Sequence, residues 1–284
     1  MLERLNSAQK AIDYYRHGVK YVLDGSYLRF GRESVDPNEA VTSPLNIETE
    51  RPKEPIKIIS WNIQRGYQED EVRRTLHDLD FDILMLQESP IKSTGNFSQN
   101  LATRLGYASV FYPAMINQGQ WLTDFSAFGQ ATLSRHPIIN FEIIGLNKVY
   151  DWQQATQNKA NSKRHALYTQ IKTGEKTLGV YNLHLDPFTS PHGRLEQIKP
   201  ALSHIEDVRD DGILIGGDLN LWLGKREGVI KTLKSLDFDY LEKSKANLLD
   251  LDHFMTRNLL NTSAVLLKET SGSDHDPVAI SLNF

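Results

Sequence analysis

Short apolar runs alternate along the chain with amphipathic stretches, and the two periodicities separate strands from helices. The runs at 56–61 ("IKIISW"), 82–88 ("DILMLQE"), 130–135, 166–172, 177–185, 212–218, 264–269 and 277–284 are aliphatic and β-branched and bounded by turn formers, so each predicts a strand. Residues 69–79, 100–105, 194–205 and 228–236 have the character of helices. The class is α/β. Strands 166–172 and 177–185 follow one another with no room for a helix between them, which predicts an antiparallel pair and argues against a purely parallel doubly wound sheet.

Ahead of this pattern, Ala8, Ile12, Tyr15, Val19 and Val22 recur three and four apart and predict an amphipathic helix over 7–24. Its apolar stripe packs on the main domain in the simplest reading; docking to another chain or a membrane surface is the alternative. Residues 25–55 are polar and carry Pro37, Pro44, Pro52 and Pro55, as a linker or a surface-hugging arm would. The expected division is therefore an N-terminal helix and arm over 1–55 and a catalytic domain over 56–284.

The polar residues at the strand ends change the picture. In extended backbone, residues two apart share a side, so "ILIGGDLN" presents Asp218 and Asn220 together at the end of an apolar strand. Taken alone, such a pair is more often turn chemistry, because both side chains bond readily to nearby amides. But the arrangement repeats. "IISWNIQ" ends in Asn62 and Gln64, "DILMLQES" in Glu88, "VYNLHLD" in Asn182, His184 and Asp186, and "GSDHDPV" places Asp274 and His275 before the last strand. Core packing gives no reason for this, whereas one shared cleft lined by all these strand ends does.

Composition narrows the chemistry. The 284 residues contain no cysteine, which excludes disulfides, thiolate zinc sites and cysteine nucleophiles. Acids and amides with few histidines supply hard oxygen donors, suited to Mg2+ or Mn2+ rather than zinc or copper. Such a cation neutralises phosphate charge while a histidine of near-neutral proton affinity assists, so the inventory suits metal-assisted phosphoester hydrolysis. A net charge of -4 argues against tight nucleic-acid binding through a general basic surface. No G-x-x-x-x-G-K-[ST] loop occurs. The N-terminus lacks the apolar core of a secretory signal, and no apolar stretch approaches a membrane span, which predicts a soluble, cytoplasmic protein without transmembrane segments and with no stable protein partner evident.

The ordered set "SWNIQRG", "LQES", "ATLSRHPI", "NLHLD", "GGDLN", "LDHFMT" and "SDHDPVAI" resembles the endonuclease/exonuclease/phosphatase superfamily, over roughly 56–284. That family includes deoxyribonucleases, apurinic endonucleases, neutral sphingomyelinases and inositol polyphosphate 5-phosphatases. The resemblance implies a four-layer α-β-β-α sandwich of two mixed sheets with helices outside. It further implies that Glu88 is the principal metal carboxylate, with Asn62 near the same ion and Asp274 a further acid beside it. Asp218 resembles the residue that orients or deprotonates the attacking water, Asn220 the amide holding the phosphate, and His275 the histidine binding the scissile phosphate. Asp252 resembles the carboxylate that orients His275, and His184 a second histidine for the transition state or leaving group. Gln64 is read as a site-lining amide, and Arg164 and Arg194 as phosphate contacts or solvated surface charges.

The family fixes chemistry better than substrate. The context "LLDLDHFMT" and the low basic character count against the apurinic branch, and the longer inositol phosphatase signatures are missing. A nuclease-like enzyme and a phosphodiesterase of lipid headgroups or small esters remain open. The polar, basic loop "NKVYDWQQATQNKANSKRH" with Trp152, and Trp121 in "NQGQW", would serve either. A non-catalytic binding protein reusing the fold is the reading from another class; it would be expected to lose Glu88, Asp218 or His275, and all three are present.

Overall fold

The computed structural model describes residues 39–47, 55–116, 124–149, 164–187, 189–221, 227–244, 251–261, 264–267, 270 and 272–284. The expected helix over 7–24, Trp121 and the loop around Trp152 lie outside the described residues.

Two mixed sheets stack face to face. The larger contains β1 (Val41–Thr42), β2 (Ile56–Asn62), β3 (Ile83–Lys92), β4 (Gly95–Asn96), β5 (Ala108–Ile116) and β6 (Phe125–Ser134). It is completed by β12 (Lys243–Ser244), β14 (Leu260–Asn261), β15 (Ala264–Leu266) and β16 (Val278–Asn283). The smaller sheet has β7 (Ile138–Gly145), β8 (His165–Thr173), β9 (Lys176–His184), β10 (Gly212–Asp218), β11 (Asp239–Tyr240) and β13 (Asp252–Arg257). Pairs β2–β3 and β9–β10 run parallel, while β8–β9 and β10–β13 are antiparallel.

Period-two alternation assigns each strand face to a layer. Ile58, Met85, Val180, Leu214 and Phe254 pack between the sheets. The opposite face of the larger sheet, with Ile59, Trp61, Leu84 and Leu86, is covered by Val72 and Leu76 of helix α1 (Glu69–Asp78) and Leu101 of α2 (Phe97–Leu105). On the smaller sheet, Tyr181, Leu183, Ile213 and Ile215 meet Ile198 and Ile205 of α3 (Pro191–Asp207) and Val229 and Leu233 of α4 (Gly228–Ser235). The four-layer expectation is borne out.

Besides the two-residue strands, three strands escape the sequence pattern. Pro113 interrupts β5 where its pairing with β6 shifts register, and β7 is an edge strand with an exposed Ile139. β13 opens on the polar pair Asp252 and His253, which hides its apolar alternation. The boundary near Ile56 also moves. Val41 and Thr42 pair with β5, and Ala40, Leu45 and Ile47 pack on the inter-sheet core, so residues 39–47 belong to the domain body. Among the described residues, no helix is long and apolar enough to cross a membrane.

Candidate active site

The inter-sheet face is apolar along most of its length and turns polar at one end. On β9 the face reads Leu178, Val180, Asn182, His184, and on β10 it runs from Leu214 to Asp218. On β2 it passes from Ile58 through Ser60 to Asn62, and on β13 from Phe254 back to Asp252. Register then aligns these ends: Asp218 lies beside His184 on β9 and Asp252 on β13. Gly217 permits the close approach, since at φ 127° a Cβ would stand 2.1 Å from the Leu183 carbonyl oxygen.

Asp218 is the hub. Its Oδ2 accepts from Asn62 Nδ2 at 3.0 Å across the sheets, with His184 Nε2 at 3.4 Å and His275 Nε2 at 3.9 Å. The backbone amide of Asn220 donates to its Oδ1 at 3.2 Å. Asn220 is left-handed at φ 50° and donates one Nδ2 hydrogen to the Leu185 carbonyl at 2.9 Å, so its second amide hydrogen remains for a ligand. His275 Nδ1 meets Asp252 Oδ2 at 2.8 Å, the orienting contact that the resemblance implies. The indole of Trp61 donates to the His275 carbonyl at 2.8 Å and pins the loop before β16.

Burial and charge drive the two histidines apart. Burial opposes a charge on His275, but Asp252 and Asp218 more than offset it and hold the ring protonated, well above the usual imidazole range. Burial also discharges His184; Arg164 and the charge of His275 add to this, and it stays neutral. Asp218 is pushed up to about 6, first by burial and then by Asp252 and Glu88, with His275 and Asn62 opposing. For Asp252, burial is outweighed by His275, which keeps the carboxyl below its ordinary value. Asp274 is raised by crowding of the protein around it and by Glu88, although its exposed surface lets solvent screen the effect. One imidazolium, one neutral imidazole and a carboxylate of raised proton affinity can bind an oxyanion and move protons near neutral pH.

The other expected residues divide. Glu88 adopts φ 52° in β3, and its Oε2 faces Arg65 Nε at 3.1 Å. Arg65 was missed in the sequence, although it stands inside "SWNIQRG". It belongs to a left-handed turn with Gln64 and Gly66, at φ 49°, 57° and 60°, which periodicity of two does not reach. Gln64 is half-buried, and its backbone N–H donates to Asn62 Oδ1 at 3.0 Å. Arg164 lies close enough to influence His184, but its Nε is committed to Asp186 at 2.7 Å. Arg194 needs correction as a substrate contact. Only 2% exposed, it binds Glu227 Oε1 at 2.8 Å and the Thr189 carbonyl at 2.7 Å beneath α3, where no phosphate can reach it without unpacking the helix.

Solved structures share this architecture. The catalytic domain of human Nocturnin with bound sulfate superposes with a TM-score of 0.63 at 20% identity, covering 88% of this chain and 100% of that one. Sphingomyelinase C from Streptomyces griseocarneus gives 0.59 at 16% identity over 81% and 100%. D. rerio TDP2 complexed with single-strand DNA product gives 0.58 at 18% over 82% and 100%. These likenesses establish the fold. No curated protein matches the sequence. The family model described as "Endonuclease/Exonuclease/phosphatase family" matches residues 59–275, and the chain belongs to that family of phosphoester hydrolases.

Proposed function

We propose that the protein is a divalent-metal-dependent phosphodiesterase, in which an activated water attacks a phosphorus held among Asn220, His184 and His275. The observation that carries this reading is the hub at Asp218, whose Oδ2 lies within 3.9 Å of Asn62, His184 and His275, groups drawn from both sheets and from far apart in sequence. Asp218 is ionised at neutral pH and takes the proton of the water. The imidazolium of His275 and the spare amide hydrogen of Asn220 bind the phosphate oxygens. As the bond from phosphorus to the leaving oxygen breaks, neutral His184 donates a hydrogen bond to that oxygen, which then takes a proton from solvent.

A hard divalent cation fits the donor set. Glu88 raises the proton affinity of both Asp218 and Asp274, a concentration of negative charge that Mg2+ or Mn2+ would relieve. Glu88 would hold the ion, with Asp274 nearby and Asn62 Oδ1 offering the lone pair left after Gln64. Bound there, the cation supplies charge neutralisation of the phosphate.

The substrate is a phosphodiester of nucleic acid, of a lipid headgroup, or of a small ester. Hydrolysis of bis(p-nitrophenyl) phosphate with Mg2+, Mn2+ or EDTA tests the chemistry, alongside plasmid nicking, a sphingomyelin emulsion and soluble phosphomonoesters. Metal-dependent diester turnover is expected, with Asp218→Ala slower by at least about 100-fold. Turnover of none of these with either cation, or turnover indifferent to EDTA, contradicts the proposal. Selective lipid hydrolysis would exclude the nuclease branch, and salt-sensitive nicking without lipid turnover the lipid branch.

A further inference from the structure

Beneath the site, the two sheets are joined at one irregularity of the ladder. Across β3 and β6, Leu86 pairs with Ala131 and Ser89 with Gly129, so Gln87 and Glu88 together oppose the single residue Gln130. That is a β-bulge, and it contains Glu88, held at a left-handed φ of 52° that non-glycine residues avoid. The strand beyond lies close as well: a Cβ on Gly129, which pairs with Ser89 at the edge of the bulge, would stand 1.9 Å from the Tyr112 carbonyl oxygen of β5.

The carbonyls at the bulge are served from the opposite sheet. Asn182 of β9 donates both Nδ2 hydrogens across the interface, to Leu86 at 3.1 Å and Ala131 at 2.9 Å. Its Oδ1 accepts from Gln87 Nε2 at 2.8 Å, and its backbone carbonyl accepts from Gln130 Nε2 at 3.4 Å. The side-chain amide thus touches Leu86, Gln87 and Ala131, and the backbone carbonyl of the same residue touches Gln130. It is fully buried, so no bulk water can replace its bonds. Asn182 also shares its strand face with His184, two residues on. The bond network therefore ties the strand that carries His184 to the bulge that carries Glu88.

We infer that Asn182 is a positioning residue, whose buried amide fixes the bulge and so aims Glu88 into the site at a set distance from His184. The inference rests on the reading of Glu88 as the cation's carboxylate. A merely structural amide would add stability without affecting the site, and the two roles separate in cation binding.

The experiment is Mg2+ and Mn2+ titration calorimetry on the full chain, comparing wild type, Asn182→Leu, Glu88→Gln and Leu214→Ala. The last variant weakens the same inter-sheet core at a fully buried apolar position that takes no part in the Asn182 hydrogen bonds, and controls for lost stability. Asn182→Leu is expected to lose roughly 10-fold or more in affinity, as removal of an outer-shell partner does, while Leu214→Ala binds like wild type. Wild-type affinity in Asn182→Leu, with weakened binding in Glu88→Gln, overturns the inference and leaves the metal reading standing. Equal binding by Glu88→Gln and wild type, or no binding by wild type, overturns both. Should Asn182→Leu fail to fold, Asn182→Ser, which keeps one donor, is read by the same criterion.

Discussion

Asp252→Asn changes one charge at the centre of the site and keeps the side chain's size and its ability to accept from His275. The native contact is a 2.8 Å bond between a buried carboxylate and a half-buried imidazole, and a hydrogen bond to a charged group contributes about 1.5–3 kcal/mol. Removing the charge forfeits much of that contribution, a factor of ten for each ~1.36 kcal/mol, and lowers the proton affinity of His275. Asp252 also faces Asp218 across the β10–β13 register and pushes its carboxyl up, so that group falls as well. The signs follow from the roles. His275 works protonated, and activity is lost as pH rises through its pKa; Asp218 works ionised, and activity is lost as pH falls through a value of about 6. Both limbs of the kcat/KM profile should therefore shift to lower pH, and rates on the alkaline side should drop by about 10–100-fold. Initial rates of diester hydrolysis at saturating Mg2+, measured across both limbs, provide the assay. An alkaline limb that stays in place, or limbs that move in opposite directions, would refute the reasoning.

Other substitutions probe the scaffold. Arg194→Met removes the ion pair of the fully buried Glu227, which should cost about 3–5 kcal/mol and lower Tm by roughly 10 °C while kcat/KM holds; a raised KM at unchanged Tm would restore Arg194 as a phosphate contact. His136 is kept below its ordinary value chiefly by burial, and neither ring nitrogen has a hydrogen-bond partner. Its stabilising neutral form is complete above the unfolded value of about 6.5 and is lost as pH falls through the folded one, so His136→Phe should gain Tm over wild type increasingly as buffers are acidified. A gap independent of pH would contradict this. Gly217→Ala meets both a φ of 127° and the Leu183 carbonyl, and should destabilise by at least about 1–3 kcal/mol, read by denaturant titration; a neutral substitution would mean that β9 and β10 yield easily.

The site was legible in the sequence because strand periodicity extends to the ends of strands. Asn62, His184 and Asp218 each continue an apolar alternation, whereas Asp252, on a strand whose alternation is hidden, was reached through the family resemblance; the parallel and antiparallel registers bring His184, Asp218 and Asp252 side by side. What escaped depends on contacts that local pattern does not encode. Arg194 and Glu227 are 33 residues apart, and only the packing of α3 shows that they pair. Arg65 comes to Glu88 through a left-handed turn, and Glu88 itself is aimed by a bulge rather than by regular alternation. β5 was hidden by Pro113, which sits where the ladder is already broken.

The central claim is that these strand ends form one centre built around a divalent cation and a phosphate. Anomalous diffraction from crystals grown with Mn2+ and phosphate tests it most directly. The account predicts a manganese peak within about 2–2.2 Å of a Glu88 carboxylate oxygen, with phosphate reached by Asn220 and His275. A peak elsewhere on the molecule, or phosphate bound away from Asp218 and both histidines, would contradict it.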